Sequence, residues 1–141
     1  MRPFILTNLL VALSMAVHAQ REVAPFRAYL YNSEYQVFMR INFHQQDIII
    51  PGQDILGPQP GYLGKDKYTF CWPVITAVVD GDKAHIQMVN DYGSEDLEAV
   101  LTRENDSIYT LRQVKGSTLK LPEGGKWQKI PRTITLKREN K

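Results

Sequence analysis

Apolar and polar residues alternate with a period of two through most of this chain, and that pattern constrains the fold more than any other feature. In residues 34–43, five apolar residues fall on one face: Tyr35, Val37, Met39, Ile41 and Phe43. The other face is polar except at Phe38. Successive side chains of a strand point to opposite sides of a sheet, so the segment is predicted to be a strand with one buried face.

Further strand-like segments follow, separated by short turn sequences. They cover residues 47–50, 68–72, 74–79, 84–90, 107–114, 118–121, 126–130 and 133–138. Asp80-Gly81-Asp82 is a strong hairpin sequence, and Gly116 and the pair Gly124-Gly125 mark two more turns. The segments on either side of Pro73 form either two strands or one bent strand.

Residues 94–103 fit two interpretations. Ser94 could cap a helix, with Leu97, Val100 and Leu101 on one face. The same residues fit a strand with Leu97, Ala99 and Leu101 pointing inward. The short linkers on both sides favour the strand.

The segments together predict an all-β fold of about eight or nine short antiparallel strands. No alternation of strands and helices occurs, which argues against a parallel sheet. So many strands in a small domain close into a barrel or stack as a sandwich, because open edges favour aggregation. We favour a small up-and-down barrel of lipocalin-like architecture. The chain lacks the Gly-x-Trp opening strand of lipocalins, so this likeness concerns architecture alone.

Residues 1–19 are predicted to be a signal peptide. Arg2 precedes a short apolar run, and Val17-x-Ala19 supplies the small residues that signal peptidase reads. The run is shorter than the ~20 residues of a spanning helix, so no stable membrane span is expected after cleavage. Gln20 stands where a lipoprotein would carry cysteine. We expect a secreted or periplasmic protein with a lead-in at residues 20–27 and a single β domain at residues 28–141.

Charge and cysteine content argue against a nucleic-acid-binding protein and against one stabilised by internal disulfides. The formal net charge is +2 and includes Arg2 of the signal peptide, so the mature protein is close to neutral. Nucleic-acid binding needs clustered cations and is not expected. Cys71 is the one cysteine, which rules out an internal disulfide. It lies between Phe70 and Trp72 in an apolar run and is predicted to be a small buried residue.

The longest irregular stretch, residues 51–67, holds four glycines and three prolines. Long loops in compact domains are often lids or binding loops. Four apolar residues lie in it: Ile55, Leu56, Tyr62 and Leu63. They either plug one end of the barrel or line the entrance for a ligand.

Aromatic residues suggest where a ligand would bind, since tyrosine suits binding surfaces. The predicted ligand-binding residues are Gln53, Asp54, Tyr62, Tyr68, Trp72 and Tyr92. The aromatic residues among them, with Tyr29 and Tyr31, would form a platform for a sugar or the wall of a cavity for an apolar molecule. The alternative to a binding role is that these tyrosines are present because strands favour tyrosine.

Catalytic and metal sites find little support. Residues 90–96 are rich in oxygen ligands, but their spacing does not match the twelve-residue calcium loop. His44 and His85 lie outside any recognisable zinc or hydrolase motif. We therefore expect no catalytic residue, no metal and no cofactor.

Three functions remain open. The first is an exported, non-catalytic binding module for a small apolar molecule or a glycan. The second is an exported protein–protein interaction module, either an inhibitor or an accessory subunit of an envelope complex. The third is a small hydrolase that uses loop carboxylates, with Asp54 facing a second acid such as Asp66 or Asp91.

Overall fold

The computed structural model describes residues 23–141, and the predicted signal peptide lies outside that range. Within it the chain forms ten strands and a short 3-10 helix at Asp54–Leu56. The strands are β1 (Arg27–Asn32), β2 (Val37–Asn42), β3 (Gly61–Lys65), β4 (Cys71–Asp80), β5 (Lys83–Val89), β6 (Asp96–Arg103), β7 (Ile108–Gly116), β8 (Lys120–Glu123), β9 (Lys126–Lys129) and β10 (Thr133–Glu139). No helix in this part of the chain is long and apolar enough to cross a membrane.

Eight of the strands form a closed antiparallel barrel in the order β1-β10-β7-β6-β5-β4-β3-β2. Strands β1 to β7 follow one another around the barrel, and β10 closes it between β7 and β1. Strands β8 and β9, which lie in the connection from β7 to β10, form a separate two-stranded hairpin. The prediction of a small up-and-down all-β barrel is confirmed, as is the strand interpretation of residues 94–103, which contain β6.

Residues 51–67 were predicted to be irregular throughout, and for their second half that prediction is wrong. Gly61–Lys65 forms β3, which pairs with β2 on one side and β4 on the other. A Cβ atom at Gly61 would lie 2.3 Å from the Arg40 carbonyl oxygen, and one at Gly64 would lie 2.7 Å from the Phe38 ring. Both glycines therefore allow close packing against β2 rather than a turn.

Pro73 lies inside one continuous strand, β4, whose register shifts between Val74 and Thr76. This favours the bent-strand alternative over two strands. The predicted strand at residues 47–50 is reduced to a single bridge between Ile48 and Gln59.

The barrel interior is filled by a contiguous apolar core to which all eight barrel strands contribute. An eight-stranded barrel is just wide enough for side chains to fill or for one small ligand. Here large residues such as Trp72, Met39 and Met88 belong to that core and are fully buried. The alternation seen in the sequence therefore decides which residues fill the barrel.

One end of the barrel, which we call the hairpin end, is covered by the β8–β9 hairpin. The hairpin contributes Leu119, Leu121 and Ile130 to the barrel core, and all three are buried. The turns β1–β2, β3–β4 and β5–β6 lie at this same end, because they follow strands that run in the same direction.

The opposite end is closed by aromatic packing and by one arginine. Phe26 stacks on Phe43 and meets the edge of Tyr109, whose hydroxyl accepts a hydrogen bond from the Phe26 amide. The Arg138 guanidinium donates to the carbonyl oxygens of Asp106, Arg27 and Ala24, and to the Tyr109 hydroxyl. Arg138 thereby ties the last barrel strand to the residues that precede the first.

We expect Arg138→Met to lower the free energy of unfolding by about 2 kcal/mol, because it removes charge-assisted hydrogen bonds at the point of closure. Urea unfolding followed by tryptophan fluorescence measures the change. The control is Lys137→Met at the exposed neighbouring position, where a change within about 0.5 kcal/mol is expected. Equal losses in the two variants would contradict this account of closure.

Candidate ligand-binding site

The connection between β2 and β3, residues 44–60, forms a flap on the outer face of the barrel. Ile50 of the flap is fully buried and packs with Tyr62 and Cys71, which point outward from β3 and β4. At the tip of the flap, Ile55 is fully exposed and Leu56 is partly exposed. The flap therefore covers the side of the barrel and does not plug its end.

The flap reaches the hairpin end through Gln53. Its side-chain amide donates to the Asp91 carbonyl oxygen at 3.3 Å and to the Asp91 carboxylate. Asp91 belongs to the β5–β6 turn and immediately precedes Tyr92. The flap, the turn and the hairpin thus meet at one end of the molecule.

A groove of about 230 Å³ lies at this junction. It is lined by Phe70, Trp72, Asn90, Tyr92, Ser94, Glu95, Lys120 and Trp127. The barrel supplies one wall through Phe70 and the β5–β6 turn, and the hairpin supplies the other through Lys120 and Trp127. The size suits a single sugar ring or one amino-acid side chain and is below that of typical drug-sized pockets.

Three aromatic rings form a corner at the mouth of the groove. The ring centroids of Phe70 lie 5.2 Å from Tyr92 and 4.9 Å from Trp127, and each pair is steeply inclined. The Tyr92 and Trp127 rings are almost perpendicular at 84°, with centroids 6.5 Å apart. Tyr92 is 73% exposed and Trp127 is 52% exposed. Two aromatic surfaces are thus presented to solvent with the Phe70 ring packed between them.

The polar part of the groove is organised by Asn90. Its side-chain oxygen accepts hydrogen bonds from the amides of Ser94 and Glu95, and its NH₂ group donates to the Ser94 hydroxyl. Asn90 is buried, so these bonds hold the β5–β6 turn in one conformation. Across the groove, Lys120 Nζ lies 3.4 Å from a Glu95 carboxylate oxygen. Both groups are partly exposed and can bind a polar ligand.

Four of the six predicted ligand-binding residues meet at the hairpin end. Trp72 and Tyr92 line the groove, although Trp72 is 1% exposed and its indole N–H is taken by the Lys120 carbonyl oxygen at 2.9 Å. The Tyr68 hydroxyl accepts the Gly124 amide at 2.9 Å and so supports the hairpin turn. Gln53 anchors the flap beside Tyr92.

The other two predicted residues lie elsewhere. Tyr62 is buried beneath the flap on the outer face, where burial raises the pKa of its hydroxyl. Asp54 is exposed and begins the short helix at the flap tip.

Sequence reasoning missed Phe70, Trp127 and Lys120 as site residues, and it considered Glu95 only as a carboxylate for metal binding or hydrolysis. Trp127 carried a usable signal, because a large aromatic two residues after the Gly124-Gly125 turn lies on a short hairpin with little core to fill. Phe70 carried none, since it resembles any apolar residue at the start of a strand.

Cys71 is buried between the flap and the barrel, which confirms its interpretation as a small buried residue. Burial, and secondly the neighbouring Asp91 carboxylate, raises the pKa of its thiol to about 12. The thiol is thus protonated at neutral pH and is a poor nucleophile.

In comparisons with known proteins, no family model matches the chain, and no curated protein or solved structure matches it either.

We expect the Cys71 thiol of the folded protein to react with iodoacetamide at pH 8 about a hundredfold or more slowly than the thiol of the unfolded chain. The raised pKa keeps the folded thiol protonated at that pH, whereas unfolding returns it to ordinary values. Mass spectrometry of timed samples, with and without urea, measures both rates. Ile50→Ala should speed labelling by uncovering the thiol; fast labelling of the unaltered folded protein would contradict this picture.

Proposed function

We propose that this protein is an exported, non-catalytic binding module that holds a glycan in the groove at the hairpin end. The observation that carries the proposal is the exposed pair Tyr92 and Trp127, fixed nearly at right angles beside Glu95 and Lys120. Its place of action, secreted or periplasmic, rests on the sequence of residues 1–19.

A sugar ring matches this chemistry. Its C–H face is apolar and packs on an aromatic ring, whose face is electron-rich. Its hydroxyl groups both donate and accept hydrogen bonds. Glu95 supplies an acceptor and Lys120 a donor at the edge of the same groove, so one ring could use the aromatic wall and both polar groups.

The contents of the barrel favour a glycan over a small apolar ligand. The interior is occupied by the protein's own side chains, and the groove mixes aromatic with charged groups. A ligand without polar groups would cover the Glu95–Lys120 pair and offer neither group a new hydrogen bond.

The contacts of the acidic residues favour a binding role over hydrolysis. The Asp91 carboxylate accepts hydrogen bonds from Gln53 and from the buried thiol of Cys71. Asp66 accepts a hydrogen bond from the Tyr31 hydroxyl at 2.5 Å. These contacts give both carboxylates structural roles.

We expect Trp127→Ala and Tyr92→Ala each to weaken glycan binding by about tenfold or more, since exposed aromatics contribute much of the affinity of such surfaces. A glycan array identifies the ligand, and calorimetry gives the dissociation constant for each variant. The control is Val78→Ala, an exposed residue of β4 away from the groove, which should bind normally. Unchanged affinity in a folded Trp127→Ala variant, or no binding to any glycan, would overturn the proposal.

A second function, recognition of a protein partner, is favoured by one observation. Ile55 is fully exposed at the flap tip with Leu56 beside it, and an apolar side chain held out in water suits insertion into a partner. The anchored base of the flap, at Ile50 and Gln53, would hold that tip in place.

If the flap binds a partner, Ile55→Ser should abolish a complex recovered from the exported fraction of the native host, and high salt should leave the unaltered complex intact. The matched control is Ile49→Ser, an exposed isoleucine of the same flap. Equal recovery with Ile55→Ser and Ile49→Ser would argue against this function. A point variant is used to test the flap because deletion of residues 53–64 would also remove most of β3.

A further inference from the structure

The β8–β9 hairpin is not part of the barrel's hydrogen-bonded ladder. Strands β7 and β10 pair directly with each other, so the barrel closes without the hairpin. A two-stranded hairpin is marginally stable by itself and depends on what it packs against. Its position over the barrel end therefore depends on contacts made by side chains and turns.

Lys65 makes the most unusual of those contacts. It lies at the end of β3 and is 2% exposed, which is rare for lysine. Its ammonium group lies 2.5 Å from a Glu123 carboxylate oxygen and 2.7 Å from the Gln128 side-chain oxygen. Glu123 belongs to β8 and Gln128 to β9, so one cation from the barrel holds both strands of the hairpin.

Burial of Lys65 depends on the hairpin being closed. A cation taken out of water must be compensated by a charged or polar partner, and both partners here come from the hairpin itself. When the hairpin lifts, the ammonium group regains water and the cost of burial disappears. Closure is therefore opposed by desolvation of Lys65 and favoured by its pairing with Glu123.

We propose that the hairpin is a hinged lid, that the Lys65–Glu123 pair is its latch, and that Lys65 is a positioning residue for the ligand groove. Lifting the lid carries away Trp127 and Lys120 while the eight-stranded barrel stays closed. The link to a ligand rests on the proposed function. The latch itself is tested without any ligand, so the two can fail separately.

Hydrogen exchange measured by NMR tests the latch. The reporter for the lid is the Trp72 indole N–H, which donates from the barrel to the Lys120 carbonyl oxygen of β8 at 2.9 Å and loses that bond when the hairpin lifts. The reporters for the barrel are amides of β5 and β6. We expect the Trp72 indole N–H to exchange through a smaller opening than the barrel amides. We also expect Glu123→Gln to reduce its protection by about tenfold or more, with barrel protection unchanged, because the variant leaves a buried cation without its counter-charge.

The matched control is Lys129→Gln, an exposed charge on the same hairpin that does not lie opposite Glu123, which should leave protection of the Trp72 indole N–H unchanged. Quenching by acrylamide gives a second signal, because Trp72 is buried beneath the hairpin and becomes accessible when the hairpin lifts, whereas Trp127 is already half exposed. Glu123→Gln should increase it. Equal loss of protection in hairpin and barrel, or no loss in either, would overturn the proposal.

A double variant separates an electrostatic latch from a merely structural contact. Lys65→Met keeps an unbranched side chain of similar length and removes the buried charge. Glu123→Gln should then have little further effect on protection of the Trp72 indole N–H, because no cation is left unpaired. If Glu123→Gln costs the same protection with Met at position 65 as with Lys, Glu123 does not act through Lys65, and the latch is wrong.

Discussion

Closure of the barrel between β1 and β10 is the constraint on which the rest of the structure depends. It gives every barrel strand two neighbours, so no barrel strand leaves an edge open to another chain. Closure at eight strands also limits the interior to a volume that this chain's own side chains fill. Because the interior is full, the surfaces that a partner could reach lie outside the barrel, where the flap and the hairpin pack.

Much of the fold could be predicted because alternation is a local property. The pattern of residues 34–43 identified β2, and the tight turns identified an antiparallel meander. β3 was missed because its two glycines resemble a loop, whereas they serve close packing against Arg40 and Phe38 on the neighbouring strand. That packing involves residues far away in the sequence, which a local pattern does not contain.

The candidate site was harder to predict for the same reason. Tyr92 comes from the β5–β6 turn and Trp127 from β9, and nothing in either segment indicates that their rings meet. Tyr62 resembles Tyr92 as a residue type, yet the flap covers one and leaves the other in water. Whether each tyrosine can contact a ligand depends on its exposure to solvent. That exposure depends on where the flap lies.

The independence of the hairpin from the barrel ladder also has an evolutionary consequence. Substitutions, insertions or deletions at the exposed positions of β8 and β9 leave the register of the eight closing strands untouched, because the backbones of those strands pair with one another and not with the hairpin. The half of the aromatic surface that Trp127 supplies can therefore vary while the barrel stays the same. Such a division resembles that between a framework, which keeps its strand pairing, and the variable loops that it carries.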